Sequence, residues 1–90
     1  MEQVKKLKIR NSLGLHARAA AKIVELGNRY KARLFLSKDG QEVDGSSILS
    51  ILTLACPKGT EVHARIEGED SEDFMQALSE LFDRKFGEES

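Results

Sequence analysis

The stretch Leu7–Val24, LKIRNSLGLHARAAAKIV, passes from strand-like to helix-like spacing of its apolar residues. Leu7 and Ile9 alternate with polar residues within Val4–Arg10, which is typical of a half-buried strand. Further on, apolar residues recur at the three- and four-residue intervals of an amphipathic helix, namely Ala17, Ala20, Ala21, Ile23, Val24 and Leu26. We therefore predict a strand, a turn and a helix in direct succession.

The turn between strand and helix contains Asn11, Ser12 and Gly14. A helix beginning at Ser12 would have a preferred capping residue, but it would enclose Gly14 at a cost of about 1 kcal/mol. We favour a start after Gly14, because this glycine permits a tight turn and keeps bulk away from an approaching partner. That start places His16 and Arg18 at the helix N-terminus, although neither residue type is a preferred cap.

The rest of the chain predicts three more strands and two more helices. The strands are expected over residues 32–37, about 41–43 and 60–67, with Asp39-Gly40 as a hairpin turn between the first two. Either Ser46 or Ser47 could cap a short helix that ends before Pro57. A longer helix begins near residues 68–71, and residues 87–90 are predicted to be a frayed tail.

The element order β-α-β-β-α-β-α indicates the fold class. Strands with one apolar face need a single layer of helices against that face. We therefore predict an α+β open-faced β-sandwich, in which a four-stranded, mostly antiparallel sheet carries three helices on one face.

Composition narrows the functional class. The 90 residues predict one domain, and a net charge of −1 gives no electrostatic reason to expect nucleic acid or anionic lipid as a partner. No apolar run is long enough to insert into a membrane. Cys56 is the only cysteine, so no internal disulfide can form, which fits a cytoplasmic location. We expect Cys56 to be a small buried residue and His63 to be a surface residue.

His16 and Arg18 have chemistry suited to a phosphoryl group. The first N–H groups of a helix lack carbonyl partners and, with the helix dipole, form a site for anions such as phosphate. Arg18 adds a planar, permanently charged fork that fits phosphate oxygens. Because a neutral imidazole nitrogen is a nucleophile, the pair predicts a histidine that accepts a phosphoryl group and passes it on.

Three other interpretations are open at this point. His16 can be an ordinary surface histidine near a helix end. A binding module on a ferredoxin-like sheet, such as an RNA binder, needs stacking aromatics on the open face, but Phe35 is the only aromatic in any predicted strand. A small phosphatase needs a positioned water or a general acid–base group, and no residue clearly supplies one.

The motif Gly14-Leu15-His16-Ala17-Arg18, followed by an alanine-rich helix, resembles the active-site motif of the HPr family, the histidine-containing phosphocarriers of the bacterial sugar phosphotransferase system. Further landmarks stand in the family's order and spacing: Asp39-Gly40, Ser46-Ser47-Ile48-Leu49, Lys58-Gly59-Thr60-Glu61-Val62 and Gly68-Glu69-Asp70. The resemblance covers essentially the whole chain. It implies the same fold over one domain, residues 1–90, and a cytoplasmic phosphocarrier rather than an enzyme, with no cofactor and no metal.

The resemblance also implies roles for matching residues. His16 matches the histidine that Enzyme I, drawing on phosphoenolpyruvate, phosphorylates on Nδ1 before the group passes to enzyme IIA components. Arg18 matches the arginine that helps hold the phosphoryl group, with the backbone N–H groups of Ala17 and Arg18 as a cradle. Ser47 matches the serine modified by an HPr kinase/phosphorylase. We favour it over Ser46 because it directly precedes Ile48-Leu49, as in the family pattern.

A docking surface for partners is expected beside these residues. The short second helix has more apolar residues than one face can bury, so some should be exposed, with Leu49 and Leu15 the first candidates. The candidate docking residues are Leu15, Ala19, Ile48, Leu49 and Leu52. Expected partners are Enzyme I, enzyme IIA components, HPr kinase/phosphorylase and transcriptional regulators, and we expect the chain to be a monomer.

Ala19 departs from the family pattern, which usually has proline after His-Ala-Arg. Alanine favours a helix and restores a backbone N–H, so it either adds a donor to the phosphate cradle or leaves the preceding loop less rigid. Because of this departure, the alternative that the chain is an HPr paralogue in a nitrogen-related or purely regulatory phosphorelay stays open.

Overall fold

The computed structural model describes all 90 residues, and its elements follow the predicted order. The strands are β1 (Glu2–Lys8), β2 (Ala32–Lys38), β3 (Gln41–Asp44) and β4 (Glu61–Gly68). The helices are α1 (Ala17–Gly27), α2 (Ile48–Leu52) and α3 (Ser71–Asp83), and a 3₁₀ turn follows at Lys85–Gly87. The predicted fold class is confirmed, and the strand ends differ from the sequence prediction by only one or two residues.

The four strands form one sheet in the order β1-β4-β2-β3, and every neighbouring pair is antiparallel. β4 lies at the centre, where Val62, Ala64 and Ile66 are fully buried under the helices, as their alternation predicts. His63 points the other way and is exposed, which confirms its expected surface position. The helices therefore cover a single face of the sheet.

The open face of the sheet presents no free aromatic platform. Two guanidinium groups already lie over the ring of Phe35 on this face. The guanidinium of Arg65 is 4.3 Å from the ring centroid, and the guanidinium of Arg33 is 5.1 Å from it. A ring that two arginines already cover is a poor stacking surface for bases, so this face gives the RNA-binding interpretation no support.

The core contains 20 buried residues from the sheet, all three helices and the segments next to them. Cys56 is among them, which confirms its expected burial, and that burial raises the pKa of its thiol. In α1 the buried residues are Ala19, Ala20 and Ile23. Ala17 was expected on the buried stripe but is exposed. The prediction was wrong because alanines occupy several faces of α1, so their spacing does not select one, and contact with both α2 and α3 decides the face that is buried.

The C-terminal residues are packed rather than frayed, which corrects the sequence prediction. Phe86 is fully buried and lies 4.9 Å from Phe82, ring centroid to ring centroid. The chain reaches this position through positive φ angles at Lys85 and Phe86, 57° and 56°. An apolar anchor just beyond α3 thus brings the last residues back to the loop before α1, where the N–H of Ser12 donates to the main-chain oxygen of Ser90 at 2.9 Å.

Candidate functional site

His16 is itself the N-cap of α1, so the predicted helix start after Gly14 is confirmed. Its backbone is extended, with φ −86° and ψ 178°, and its carbonyl accepts the first helical hydrogen bond, from Ala20 N–H at 2.9 Å. The ring Nδ1 accepts from the N–H of Arg18 at 3.3 Å, a long bond. An imidazole therefore occupies the place where Ser or Asp usually caps a helix.

The N-terminus of α1 keeps unpaired donors around this ring. The N–H groups of Ala17 and Ala19 donate to no protein acceptor, and the first turn contains no acidic residue. The donor at Ala19 exists because this chain lacks the family's usual proline there. The first turn of α1, whose N-cap is His16, thus combines unpaired N–H groups with the positive end of the helix dipole, and such a helix start binds phosphate oxygens.

The side chain of Arg18 is exposed and forms no ion pair. Its position two residues after His16 lets the guanidinium reach an anion bound at the helix end. The structure thus brings both predicted residues to one place but shows the arginine without a bound partner.

Gly14 is required by packing as well as by the turn. Its φ is +71°, and a Cβ at this position would lie 2.5 Å from the carbonyl oxygen of Cys56. Leu15 N–H donates to that same oxygen at 2.8 Å. The glycine therefore gives room to the protein's own backbone after α2, rather than to an approaching partner as the sequence suggested, and this contact fixes the loop that presents His16.

Glu88 and Asn11 belong to this site, and the sequence analysis missed both. The Nε2 of His16 pairs with Oε2 of Glu88, while Asn11 Nδ2 donates to Oε1 of the same carboxylate at 2.9 Å and to the Gly14 carbonyl at 2.7 Å. Phe86 was the only sequence signal that could have revealed this, since its apolar ring continues the buried stripe of α3 beyond the helix.

The Glu88 carboxyl is held in its charged form. Burial alone would raise its pKa, but hydrogen bonds from His16 and Asn11 and the electrostatic attraction of His16 and Lys22 outweigh that effect and lower the pKa. The ammonium of Lys22 also donates to the carbonyl of Phe86. The tail is thus attached to α1 through two consecutive contacts, one at each side of Gly87.

Ser47 is the N-cap of α2, and its Oγ accepts from Ser50 N–H at 3.2 Å. Ser46 is bound elsewhere, because its hydroxyl and its N–H both donate to Oδ1 of Asp44, at 2.7 and 2.8 Å. These two bonds lower the pKa of Asp44. Of the two serines, only Ser47 has its hydroxyl at the end of the helix.

The docking candidates separate into exposed and buried residues. Leu49 is 77% exposed and Ile48 is 37% exposed, as expected, and Leu52 is half-buried. Leu15 and Ala19 are only 6% and 0% exposed, so the expectation that they form an accessible surface was wrong. Leu15 turns into the core because its N–H is held by the Cys56 carbonyl. Leu13 was missed and is 71% exposed, three residues before His16.

Comparisons with known proteins agree with this site. Residues 3–84 match the family described as PTS HPr component phosphorylation site. The chain belongs to the HPr family. It is 45% identical over 84 residues to the phosphocarrier protein HPr of Xylella fastidiosa, covering 93% of this chain and 94% of that one. It is 43% identical over 79 residues to the phosphocarrier protein HPr of Pseudomonas aeruginosa, covering 87% and 88%.

The crystal structure of HPr-C-His from Thermoanaerobacter tengcongensis has the same fold as this protein, with a TM-score of 0.92 at 35% identity over 98% of this chain and 99% of that one. The protein is thus a phosphocarrier of the phosphotransferase system, an intermediate in phosphoryl transfer rather than an enzyme. No helix in the structure has the length and apolar character to cross a membrane.

Proposed function

We propose that His16 accepts a phosphoryl group from Enzyme I on Nδ1 and passes it to enzyme IIA components. The observation that carries this proposal is the position of Nδ1, which faces Arg18 N–H at 3.3 Å beside the unpaired N–H groups of Ala17 and Ala19. A phosphoryl group on Nδ1 would replace the long intramolecular bond with several shorter ones to phosphate oxygens. The exposed guanidinium of Arg18 closes on the same group from solvent.

The test is phosphorylation by Enzyme I and phosphoenolpyruvate, followed by mass spectrometry. We expect one acid-labile phosphate on the wild type and none on His16→Ala. His63→Ala is the matched control, because His63 is the only other histidine and lies on the exposed face of β4. Absence of labile phosphate on the wild type, or its retention in His16→Ala, would refute the assignment.

The same experiment assigns the branch of the system. We propose the sugar branch, with the Enzyme I of that branch transferring phosphate faster than its nitrogen-related counterpart. Faster transfer from the nitrogen-related enzyme would overturn this choice and assign the protein to the other phosphorelay.

We further propose that Ser47 is a regulatory phosphorylation site for an HPr kinase/phosphorylase. Ser47 is half-buried at the start of α2, next to the exposed pair Ile48 and Leu49. A phosphate there would carry about −1.5 to −2 charges and would sit beside the apolar patch, so it would weaken docking of partners on that patch.

The kinase and ATP supply the test of this second proposal. We expect an acid-stable phosphate on the wild type and on Ser46→Ala, and none on Ser47→Ala. Labelling that follows Ser46 instead would contradict it. The phosphorylated wild type should also accept phosphate from Enzyme I more slowly than the unmodified protein, and equal rates would remove the regulatory role.

A further inference from the structure

The C-terminal tail places a carboxylate, that of Glu88, against the His16 ring. It contacts the ring nitrogen on the side away from the start of α1. Glu88 Oε2 pairs with Nε2 of His16, while the opposite ring nitrogen, Nδ1, faces Arg18 N–H. We infer that Glu88 is a positioning residue that fixes the tautomer and orientation of His16 for phosphoryl transfer, with Asn11 holding Glu88 in place. This inference rests on the proposed role of His16 as the phosphoryl acceptor.

Asn11 can hold the carboxylate in only one orientation of its amide. The side chain is fully buried, and the two groups that face its terminal nitrogen, the Gly14 carbonyl and Glu88 Oε1, are both acceptors. Only an NH₂ group can serve two acceptors, which assigns nitrogen to this position. The Oδ1 atom is left buried without a partner. An unpaired buried acceptor is unfavourable. The hydrogen bonds that the Asn11 NH₂ group donates to Gly14 and Glu88 therefore have to outweigh this cost.

Two independent contacts then assign the same tautomer to His16. A carboxylate accepts hydrogen bonds only, so the proton must be on Nε2. The N–H of Arg18 is a donor, so Nδ1 must present its lone pair. Both ends of the ring therefore agree, and the lone pair of Nδ1 faces the N–H of Arg18 in the first turn of α1. Comparable carboxylate–histidine pairs orient the ring in metal sites and hydrolases.

The same carboxylate suits the transfer step. The Nδ1 lone pair forms a bond to phosphorus while the bond from phosphorus to the donor breaks, and that electron pair leaves with the donor. The hydrogen stays on Nε2, so the ring becomes a cation as it gains the phosphoryl group. Glu88 then faces a full positive charge, and a charge-assisted hydrogen bond is stronger than a neutral one. The pairing is thus stronger in the product than before transfer.

Glu88→Gln tests the inference with a side chain of the same shape. His16 and Asn11 use different oxygens of the Glu88 carboxylate, and glutamine replaces one of these oxygens with an NH₂ donor, so one of the two partners loses its acceptor. Glu89→Gln is the matched control, because Glu89 is the exposed neighbour and makes no hydrogen bond or ion pair in the structure. Asn11→Ala is a second variant, which removes the support and leaves the carboxylate unchanged.

Two measurements are needed on these variants. The ¹⁵N chemical shifts of the His16 ring at neutral pH report which nitrogen carries the proton, and we expect the wild type and Glu89→Gln to show it on Nε2. In Glu88→Gln and Asn11→Ala the Nε2–H form should decrease. The initial rate of phosphorylation by Enzyme I should fall about tenfold or more in Glu88→Gln, in line with the usual effect of removing an orienting partner.

Ring shifts and a rate in Glu88→Gln equal to those of Glu89→Gln would overturn the inference. A lower rate with unchanged ring shifts would also overturn it, because the tail would then act on docking rather than on the ring. If the wild type shows the Nε2–H form but gains no phosphate at His16, the proposed function fails while the tautomer assignment stands, so the two failures are distinguishable.

Discussion

The starts of α1 and α2 differ although both have the same sequence plan. Each has a glycine two residues before the N-cap, Gly14 before His16 and Gly45 before Ser47. The α2 cap is a short hydroxyl that accepts from the N–H three residues on, as helix caps usually do. The α1 cap is an imidazole whose Nδ1 accepts a long hydrogen bond from Arg18 N–H and whose Nε2 pairs with Glu88.

This difference separates a stabilising cap from a reactive one. Ser47 uses its hydroxyl to satisfy the helix, so α2 gains stability from its own first residue. His16 satisfies α1 poorly and keeps donors near Nδ1 unpaired, which leaves them available to an anion. The residues that fix His16 lie outside α1, in the Cys56 carbonyl, Asn11 and Glu88. The loss in capping is thus offset by contacts from distant parts of the chain.

Alanine at the two glycines should give the largest difference in stability between matching positions of the two helix starts. Gly14→Ala adds a Cβ at positive φ and 2.5 Å from a backbone oxygen, so both strain and overpacking apply and about 3 kcal/mol should be lost. Gly45→Ala has no positive φ and meets the side chain of Leu34, so about 1–2 kcal/mol is expected. Urea unfolding of both variants gives the comparison. Equal losses would mean that the backbone contact at Gly14 is not rigid.

Ser47→Ala should have the next largest effect, a loss of about 1 kcal/mol, because the Ser50 N–H loses its acceptor. Ser46→Ala is the control. Its hydroxyl is exposed and bonds only to Asp44, so a change within about 0.5 kcal/mol is expected. Thermal unfolding at neutral pH measures both. A larger loss of stability in Ser46→Ala than in Ser47→Ala would show that Ser46, not Ser47, caps α2.

The sequence predicted most of the α2 start. At the α1 start it predicted His16 and Arg18, but not the distant residues that hold the His16 ring. Strand alternation, the Asp39-Gly40 turn and the stripe of α3 are local patterns, so they predicted the fold and the position of His16 correctly. Glu88 reaches His16 across 72 positions of the chain. Its placement depends on Phe86 entering the core at positive φ, which a non-glycine residue adopts only when packing compensates. Short-range patterns do not contain that information.

The burial of Leu15 and Ala19 was unpredictable for a related reason. Both are next to a functional residue in sequence, which favoured an exposed position. Ala19 is buried because α1 packs its middle face against α2 and α3, and an alanine-rich helix leaves several faces equally suitable. Leu15 is buried because the Cys56 carbonyl, which lies after α2, accepts its N–H. Contacts between separate elements decided both positions.

Acid should have a smaller effect, which is confined to the contacts that the C-terminal tail makes with His16 and the loop before α1. The pKa of Glu88 lies below its ordinary value of 4.5, so its contribution to stability is complete above that pH and is lost as the pH falls through the lowered pKa. The protection factor of Ser12 N–H against hydrogen exchange should therefore fall in that acid range more than the protection factor of Ser50 N–H, because Ser12 N–H donates to Ser90. In Glu88→Gln this extra loss of protection on acidification should disappear. Its persistence would assign the effect to another group, such as Asp44, whose pKa is also lowered.

The smallest effect on stability is expected at the exposed side of the α2 start. Leu49 is 77% exposed, so Leu49→Ala should change the free energy of unfolding by no more than about 0.5 kcal/mol. Ile51 is two residues on and 1% exposed, so Ile51→Ala should cost about 2–5 kcal/mol and serves as the contrasting variant. If the exposed leucine is a docking residue, Leu49→Ala should slow modification of Ser47 by the kinase although the fold is intact. An unchanged rate would confine docking to other residues, with Leu13 on the α1 side the next to replace, because it is exposed to almost the same extent.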